Sequence, residues 1–194
     1  MNFQPFGIGN SGLFKSEVHD DSRGYFSEWF QISDFNKATG ETFTAAQGNL
    51  SHSRKGVLRG IHGSSAIGGP SKILTCLSGS IFDVLVDLRP TSQTVGQWVG
   101  INLEAGDGQT IYIPSGMGHA FLALQDNTVV TYLLSSVYSP NDEFSINPLD
   151  QKLKIDWPSH KLILSKKDQT AQSFQSYLLG LKHLPKGTQN RGER

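Results

Sequence analysis

The sequence contains a single cysteine, Cys76, in 194 residues, which excludes an intrachain disulfide framework. No apolar run approaches the roughly 20 residues that a membrane-spanning helix requires. The first residues also lack the basic and apolar regions of a secretion signal. Neither sign of charge is in excess, with 17 Lys and Arg against 17 Asp and Glu, so the bulk charge does not favour nucleic-acid binding. These absences predict a cytoplasmic protein whose partners include neither a membrane nor a nucleic acid.

Helical periodicity is scarce, whereas short apolar strands are abundant. A short helix or turn is expected before Gly40, and a longer helical pattern appears only across residues 168–181. From Val57 onward, strand-like runs follow one another between Gly, Pro, Asn, Asp and Ser: VLRGIH, KILTCL, SIFDVLVDL, QWVGINL, TIYI, HAFLAL and TVVTYLL. This spacing is typical of an all-β sandwich or barrel, and the length predicts one domain.

The stretch GVLRGIHGSSAIGGPSK, from Gly56 to Lys72, places a histidine and a lysine at neighbouring strand ends. His62 is a base that titrates near neutral pH, and Lys72 is a cation that can stabilise an enolate. The pair indicates a proton-abstraction site beside a carbonyl. Strict alternation would direct Arg59 and His62 to opposite faces, so a shared site requires a bulge or strand end near Gly60 or Gly63.

Two hairpins are expected to present further polar groups. A turn at Ser78-Gly79 would place Lys72 opposite Leu85 and diagonal to Asp83 on one face. A turn at Asp126-Asn127 would place Phe121 opposite Tyr132, with His119 diagonal to that tyrosine. Polar side chains on barrel-like strands indicate a lined cavity, because a solid core would bury them at high cost.

The segment GDGQTIYIPSGMGHAFLAL contains the spacing G-x5-P-x-G-x2-H, from Gly108 through Pro114 and Gly116 to His119. It resembles the second signature motif of the cupin superfamily, which implies a double-sheet jelly-roll β-barrel. The first cupin motif, which carries paired histidines and a glutamate, is absent after His62. The resemblance therefore implies a cupin without a metal.

A fuller resemblance, from Asp21 to Asp168, is to the dTDP-4-dehydrorhamnose 3,5-epimerase family. The matching pieces are QGNLS, VLRGIH, Lys72, GSIFDVLVDLRPTSQTVGQWVG, IPSGMGHAFLAL, Tyr132, INPLD, IDWP and LSKKD. The resemblance implies a single cupin epimerase domain over residues 1–194. Within it we expect N-terminal strands and a dimer arm at 1–50, a jelly-roll core at 51–165, a C-terminal helix at 166–184 and a tail at 185–194.

The resemblance also implies roles for individual residues. His62 aligns with the general base, Asp168 with the carboxylate that orients it, Lys72 with the enolate-stabilising cation, and Tyr132 with the acid that protonates the opposite face. His119 is interpreted as a substrate-binding residue, and Asp83 as a carboxylate that supports the site. The positions that align with the family's nucleotide and diphosphate contacts are Arg23, Phe26, Glu28, Gln47, Asn49, Arg59 and Tyr138.

The implied activity is inversion of C3, C5 or both in a dTDP-linked 4-keto-6-deoxyhexose, without metal or organic cofactor. The implied assembly is a homodimer whose N-terminal strands reach into the partner. Gly63-Ser64 follow His62 where the family commonly has Tyr-Gln, and the loop before Lys72 is rich in Gly and Ser. Two alternatives stay open, a 3,4-ketoisomerase of the same group and a non-catalytic sugar-nucleotide-binding cupin. Asp168 also precedes a helical pattern and could be its N-cap.

Overall fold

A computed structural model describes residues 1–64 and 69–182 of the chain, and most of its regular structure is β-sheet. The strands are β1 (Asn2–Pro5), β2 (Gly12–Lys15), β3 (Val18–Asp21), β4 (Gly24–Ser27), β5 (Gln47–Ser53), β6 (Val57–Ser64), β7 (Lys72–Ser78), β8 (Ser80–Asp87), β9 (Trp98–Glu104), β10 (Gln109–Ile113), β11 (Met117–Ala123), β12 (Thr128–Leu134), β13 (Glu143–Ser145) and β14 (Ile163–Leu164). The helices are α1 (Ile32–Thr39), α2 (Lys166–Gln169) and α3 (Phe174–Lys182). Each of the seven strands predicted from Val57 onward is present.

Two six-stranded sheets form the body of the protein. The first has the order β1-β2-β10-β7-β12-β5. The second has the order β13-β6-β11-β8-β9, with β14 parallel to β6. A separate two-stranded sheet consists of β3 and β4. The architecture is a double-sheet jelly roll, which confirms the predicted all-β fold.

The core follows from the alternation of side chains along the strands. In β8, Ile81 and Leu85 belong to one apolar cluster together with residues of the first sheet, such as Leu74. Val84 and Val86 point the other way, into a cluster on the outer face of the second sheet. The first cluster therefore fills the space between the sheets, and the second lies beneath the C-terminal segment.

The two predicted hairpins are wrong, because consecutive strands lie in different sheets. β7 pairs with β10 and β12, so Lys72 lies opposite Ile113 and Leu134 rather than Leu85. β11 pairs with β6 and β8, so Phe121 does not lie opposite Tyr132. In a jelly roll the chain crosses from one sheet to the other between such strands. The polar groups of each predicted hairpin therefore belong to facing sheets rather than to neighbouring strands.

The first predicted helix is confirmed as α1, which ends at Gly40 in a left-handed conformation. The helix expected over 166–184 is instead divided into α2 and α3. Between them, Gln172 forms a parallel bridge with Ile146 and accepts a backbone hydrogen bond from Asn147. This pairing interrupts the helical hydrogen bonds. The end of the predicted helix and the tail at 185–194 lie outside the described residues.

Across residues 1–64 and 69–182, no helix combines the length and apolar character needed to cross a bilayer. The cytoplasmic location stays a prediction from the sequence.

Candidate active site

One cavity of about 660 Å³ opens between the two sheets, and it gathers most of the residues singled out in the sequence. Its walls include side chains from both sheets and from α2. The predicted site residues that line it are Arg59, His62, Lys72, His119, Tyr132, Tyr138 and Asp168. Residues 65–68 of the loop before Lys72 lie outside the described part of the chain.

His62 and Asp168 form a hydrogen-bonded pair in this cavity. Nε2 of His62 lies 2.8 Å from Oδ1 of Asp168, whose carboxylate is buried. Burial lowers the pKa of His62, and the bond to Asp168 opposes that effect. A proton on Nε2 would be held by the carboxylate, which leaves the lone pair of Nδ1 to accept a proton. The pair can therefore act as an oriented general base.

Asp168 is not the N-cap of its helix. Ser165 is the N-cap of α2, and its Oγ accepts a hydrogen bond from the backbone N–H of Asp168 at 3.1 Å. The same hydroxyl donates to Oδ2 of Asp168 at 2.8 Å. The carboxylate is consequently bound at both oxygens, by Ser165 and by His62.

A bulge in β6 allows Arg59 and His62 to face the same cavity. His119 pairs with His62 and Phe121 pairs with Arg59, so three steps along β6 match two along β11. Gly60 provides the bend, with φ of 114°. A Cβ at Gly60 would lie 2.5 Å from the carbonyl oxygen of His119. The bulge that the sequence required near Gly60 or Gly63 is therefore present at Gly60.

Lys72 and Tyr132 approach the cavity from the first sheet, opposite the wall that carries His62. Lys72 pairs with Leu134 on β12, two residues from Tyr132, so both side chains take the inner face. Burial lowers the pKa of the Lys72 ammonium, and the negative charges of Glu143 and Asp83 partly oppose this. A partly desolvated cation is suited to stabilising an anion that forms next to it.

His119 and Asp83 form a second histidine–carboxylate pair. Nε2 of His119 lies 2.7 Å from Oδ2 of Asp83, and both side chains are buried. Oδ1 of Asp83 has no hydrogen-bond partner among the residues that the structure describes. The pair presents His119 at the cavity wall with Asp83 behind it.

Of the predicted nucleotide and diphosphate contacts, Arg59 and Tyr138 line the cavity. Arg59 donates to Oγ of Ser53 and to the carbonyl oxygen of His52, both at 3.1 Å, so it bridges β6 and β5. Gln47 accepts a hydrogen bond from the backbone N–H of Tyr138 at 2.8 Å and donates to Asn49 at 2.8 Å. Gln47 and Asn49 do not line the cavity. They share a face of β5 with Ser51, which does.

Arg23, Phe26 and Glu28 are not brought to the cavity of their own chain. Arg23 and Phe26 belong to the β3–β4 hairpin, where Arg23 is paired with Asp21. The Phe26 ring is 64% exposed and stacks on His19. The hairpin therefore presents an aromatic and a cationic side chain away from the site.

The structure adds cavity residues that the sequence reasoning missed. Glu143, on the three-residue strand β13, pairs with Lys167 at 3.2 Å, and both line the cavity. Lys167 could have been found from its position in the KKD segment, next to Asp168. Glu143 could not, because the three residues of β13 are too few to show the alternation of side chains that marks a strand. Ser165 could have been found from its S-x-x-D spacing to Asp168, which resembles a capping box. Across the described residues, no three His, Cys, Asp or Glu side chains cluster in a way that could hold a metal ion.

Comparisons with known proteins extend over most of the chain. A family model described as dTDP-4-dehydrorhamnose 3,5-epimerase matches residues 6–176. A dTDP-4-dehydrorhamnose 3,5-epimerase of Mycolicibacterium smegmatis is 45% identical over 158 residues, which cover 81% of this chain and 78% of that protein. A dTDP-4-dehydrorhamnose 3-epimerase of Streptomyces niveus is 40% identical over 171 residues, which cover 88% of this chain and 83% of that protein. The solved structure of ChmJ, a 3'-monoepimerase from Streptomyces bikiniensis in complex with dTDP-quinovose, has a TM-score of 0.87 at 38% identity and covers 91% of this chain and 90% of its own.

Proposed function

The chain belongs to the dTDP-4-dehydrorhamnose 3,5-epimerase family, and from this membership we propose how its cavity performs the reaction. The protein is an isomerase that epimerises C3, C5 or both of a dTDP-4-keto-6-deoxyhexose. The observation that carries the mechanism is the division of polar groups between the sheets. His62 lies on the second sheet, whereas Lys72 and Tyr132 lie on the first, across the cavity.

In the proposed mechanism, Nδ1 of His62 removes the proton from a carbon next to the C4 ketone. The electron pair of the broken C–H bond forms a C=C bond, and the carbonyl oxygen becomes an enolate. The Lys72 ammonium stabilises that oxygen. Tyr132 then donates its phenolic proton to the opposite face of the same carbon. Carbon configuration is inverted with no net oxidation or reduction.

Opposite placement of base and acid is what inversion demands. If the same group removed and returned the proton, the carbon would recover its original configuration. A substrate held between the sheets would have His62 on one face and Tyr132 on the other. Asp168 would keep His62 oriented and stabilise the imidazolium formed in the first step.

The nucleotide and diphosphate are proposed to occupy the side of the cavity near Arg59. The planar guanidinium suits a diphosphate, because it can donate two parallel hydrogen bonds to phosphate oxygens. Tyr138, which is 47% exposed at the cavity, offers an aromatic face for the base. Gln47 and Asn49 extend this side, and His119 would contact the sugar.

Solvent exchange tests the proposed reaction. With dTDP-4-keto-6-deoxyglucose in D₂O, NMR is expected to show deuterium entering C3, C5 or both, and His62→Asn is expected to slow this exchange by a factor of roughly 10² to 10⁴. His160→Asn, at an exposed histidine, is the matched control and should exchange like the wild type. Absence of exchange at both carbons would overturn the proposal. A carbonyl that moves to C3 would instead identify a 3,4-ketoisomerase.

We further propose that the protein acts as a homodimer in which the β3–β4 hairpin completes the partner's site. The support is that Arg23 and Phe26 are exposed and lie away from their own cavity. Mixing His62→Asn subunits with Arg23→Ala subunits tests this exchange. An exchanged arm would create one intact site in each mixed dimer, so activity should rise above that of either variant alone. No recovery in verified mixed dimers would show that the arm does not serve the partner.

A further inference from the structure

Ser165 lies beside the His62–Asp168 pair at the cavity wall, where it is exposed, and the proposed proton transfers give it no role. Its Oγ accepts from the backbone N–H of Asp168 at 3.1 Å and donates to Oδ2 of the same residue at 2.8 Å. Oδ1 of Asp168 is bonded to His62 at 2.8 Å. Asp168 is only 3% exposed, so solvent has little access to a carboxylate whose two oxygens are both bound.

We propose that Ser165 is a positioning residue of the epimerase, whose hydroxyl fixes the rotation of the Asp168 carboxylate so that Oδ1 faces His62. The inference rests on the proposed role of His62 as the base. The terminal torsion of an aspartate is broad, so a carboxylate bound through one oxygen retains rotational freedom. The second bond, to Ser165, removes that freedom before substrate arrives. Preorganisation of this kind lowers the cost of reaching the reactive geometry.

The local sequence explains how the Ser165 hydroxyl can both cap α2 and orient the Asp168 carboxylate. Ser165 has an extended backbone, with φ of −65° and ψ of 157°, and it begins α2 as the N-cap. Asp168 is the third helical residue, the position from which an acidic side chain reaches back in a capping box. Here the carboxylate accepts from the serine hydroxyl, and its other oxygen remains available for His62. The start of α2 and the orientation of the base are thereby linked.

The charges around His62 determine how its pKa changes when the hydrogen bond between Ser165 and Asp168 is lost. Asp168 from α2 and Glu143 from β13 raise the pKa of His62, whereas burial and Lys72 from β7 lower it. His119 lies opposite His62 on β11. Burial has the largest influence on the pKa of His62 and lowers it. If Asp168 turns away from His62, its opposing effect on that pKa is weakened. The pKa of His62 is then expected to fall further.

Three variants separate positioning from helix capping. Ser165→Ala removes both bonds, Ser165→Thr retains a hydroxyl cap, and Ser173→Ala is the matched control. Ser173 accepts from the backbone N–H of Ser176 at the start of α3, and within residues 1–64 and 69–182 it is bonded to no carboxylate. The pKa of His62 is measured by NMR titration, with its resonance assigned from His62→Asn, and kcat and KM are measured beside it.

Ser165→Ala is expected to lower the pKa of His62 and to reduce kcat roughly tenfold with KM unchanged. Ser165→Thr is expected to restore both values, and Ser173→Ala to lower only the melting temperature. If Ser165→Ala folds poorly, Ser165→Asp retains a good N-cap but cannot donate to Oδ2, so its kcat should also fall. A Ser165→Ala or Ser165→Asp enzyme with wild-type kcat, or a Ser165→Ala protein with an unchanged pKa of His62, would overturn the inference. The titration does not require turnover, so a lack of epimerisation would refute the proposed function separately.

Discussion

His62 and His119 lie directly opposite each other on β6 and β11, and each is bonded to its own buried carboxylate. The two pairs differ in their surroundings. Asp168 lies on helix α2, 106 positions after His62 in the sequence. His119 and Asp83 instead lie on neighbouring strands of one sheet. We therefore expect the two histidines to contribute differently to the same reaction.

Substitution of His119 should weaken substrate binding and leave the exchange chemistry in place. His119→Asn is expected to raise KM about tenfold, or about 1.4 kcal/mol, because it removes a polar substrate contact. His62→Asn removes the proposed base and should lower kcat by a factor of roughly 10² to 10⁴. Steady-state kinetics on both variants checks the contrast. A His119→Asn enzyme that loses all deuterium exchange would contradict this division of roles.

The rate should depend on pH in a direction set by the cavity. His62, the proposed base, must be neutral to accept a proton, and its pKa lies below the ordinary 6.5. As the pH is lowered, kcat/KM should therefore begin to fall only below pH 6.5. Lys72 must be charged to stabilise the enolate, and its pKa lies below the ordinary 10.5. As the pH is raised, kcat/KM should therefore begin to fall below pH 10.5.

A pH profile of kcat/KM, recorded on enzyme that remains folded throughout, tests both limbs. Lys72→Arg provides the control for the alkaline limb, because an arginine stays charged there. If the variant retains measurable turnover, its alkaline limb should move to higher pH. An acid limb above 6.5, or an alkaline limb that is identical in Lys72→Arg, would contradict the assignments.

The sequence predicted the strands and the faces of their side chains better than it predicted their neighbours. Alternation correctly placed Asp83 and Leu85 on one face of their strand, because it depends only on the local backbone. Leu85 belongs to the cluster between the sheets, and Asp83 bonds to His119 at the cavity. It could not specify that β7 and β8 lie in different sheets, since pairing between distant strands is a property of the whole chain. Lys72 and Asp83 still interact electrostatically, but across the interior rather than along a hairpin.

The family resemblance named residues that share one cavity, but five positions named on the same ground, Arg23, Phe26, Glu28, Gln47 and Asn49, do not line it. His62, Lys72, Tyr132 and Asp168 do line one cavity. Glu143 carried no periodic signal, because β13 has only three residues. Its position depends on pairing with β6, which the sequence does not display.

Replacing Lys72 by an apolar residue should stabilise the protein while removing activity. The lowered pKa of Lys72 means that folding disfavours its charged form, so Lys72→Met should raise the free energy of unfolding by about 1 kcal/mol at neutral pH. The gain should shrink as pH rises towards 10.5, because the lysine then loses its charge in both states.

Urea denaturation at neutral and alkaline pH measures this gain. Lys15→Met, at an exposed position of β2, is the control and should change stability by less than about 0.5 kcal/mol. A destabilised Lys72→Met protein would show that the attraction of Lys72 to Glu143 and Asp83 outweighs its desolvation. The same protein assayed by solvent exchange should show no detectable deuterium at C3 or C5.

The bulge at Gly60 should tolerate no side chain. Gly60→Ala would require a φ of 114° in a residue with a Cβ, and that atom would lie 2.5 Å from the backbone oxygen of His119. Since backbone cannot move aside as a flexible side chain does, we expect a loss of about 3 kcal/mol or more. Relief of the clash would shift β6 against β11 and misplace both Arg59 and His62, so the folded fraction should also lose kcat. Gly180→Ala is the matched control, because a Cβ there meets no atom of the described residues within 4 Å. Alanine also favours the helix α3, with a gain of up to about 1 kcal/mol. Denaturation of the two variants side by side measures the contrast, and a Gly60→Ala protein as stable as Gly180→Ala would refute the role assigned to the bulge.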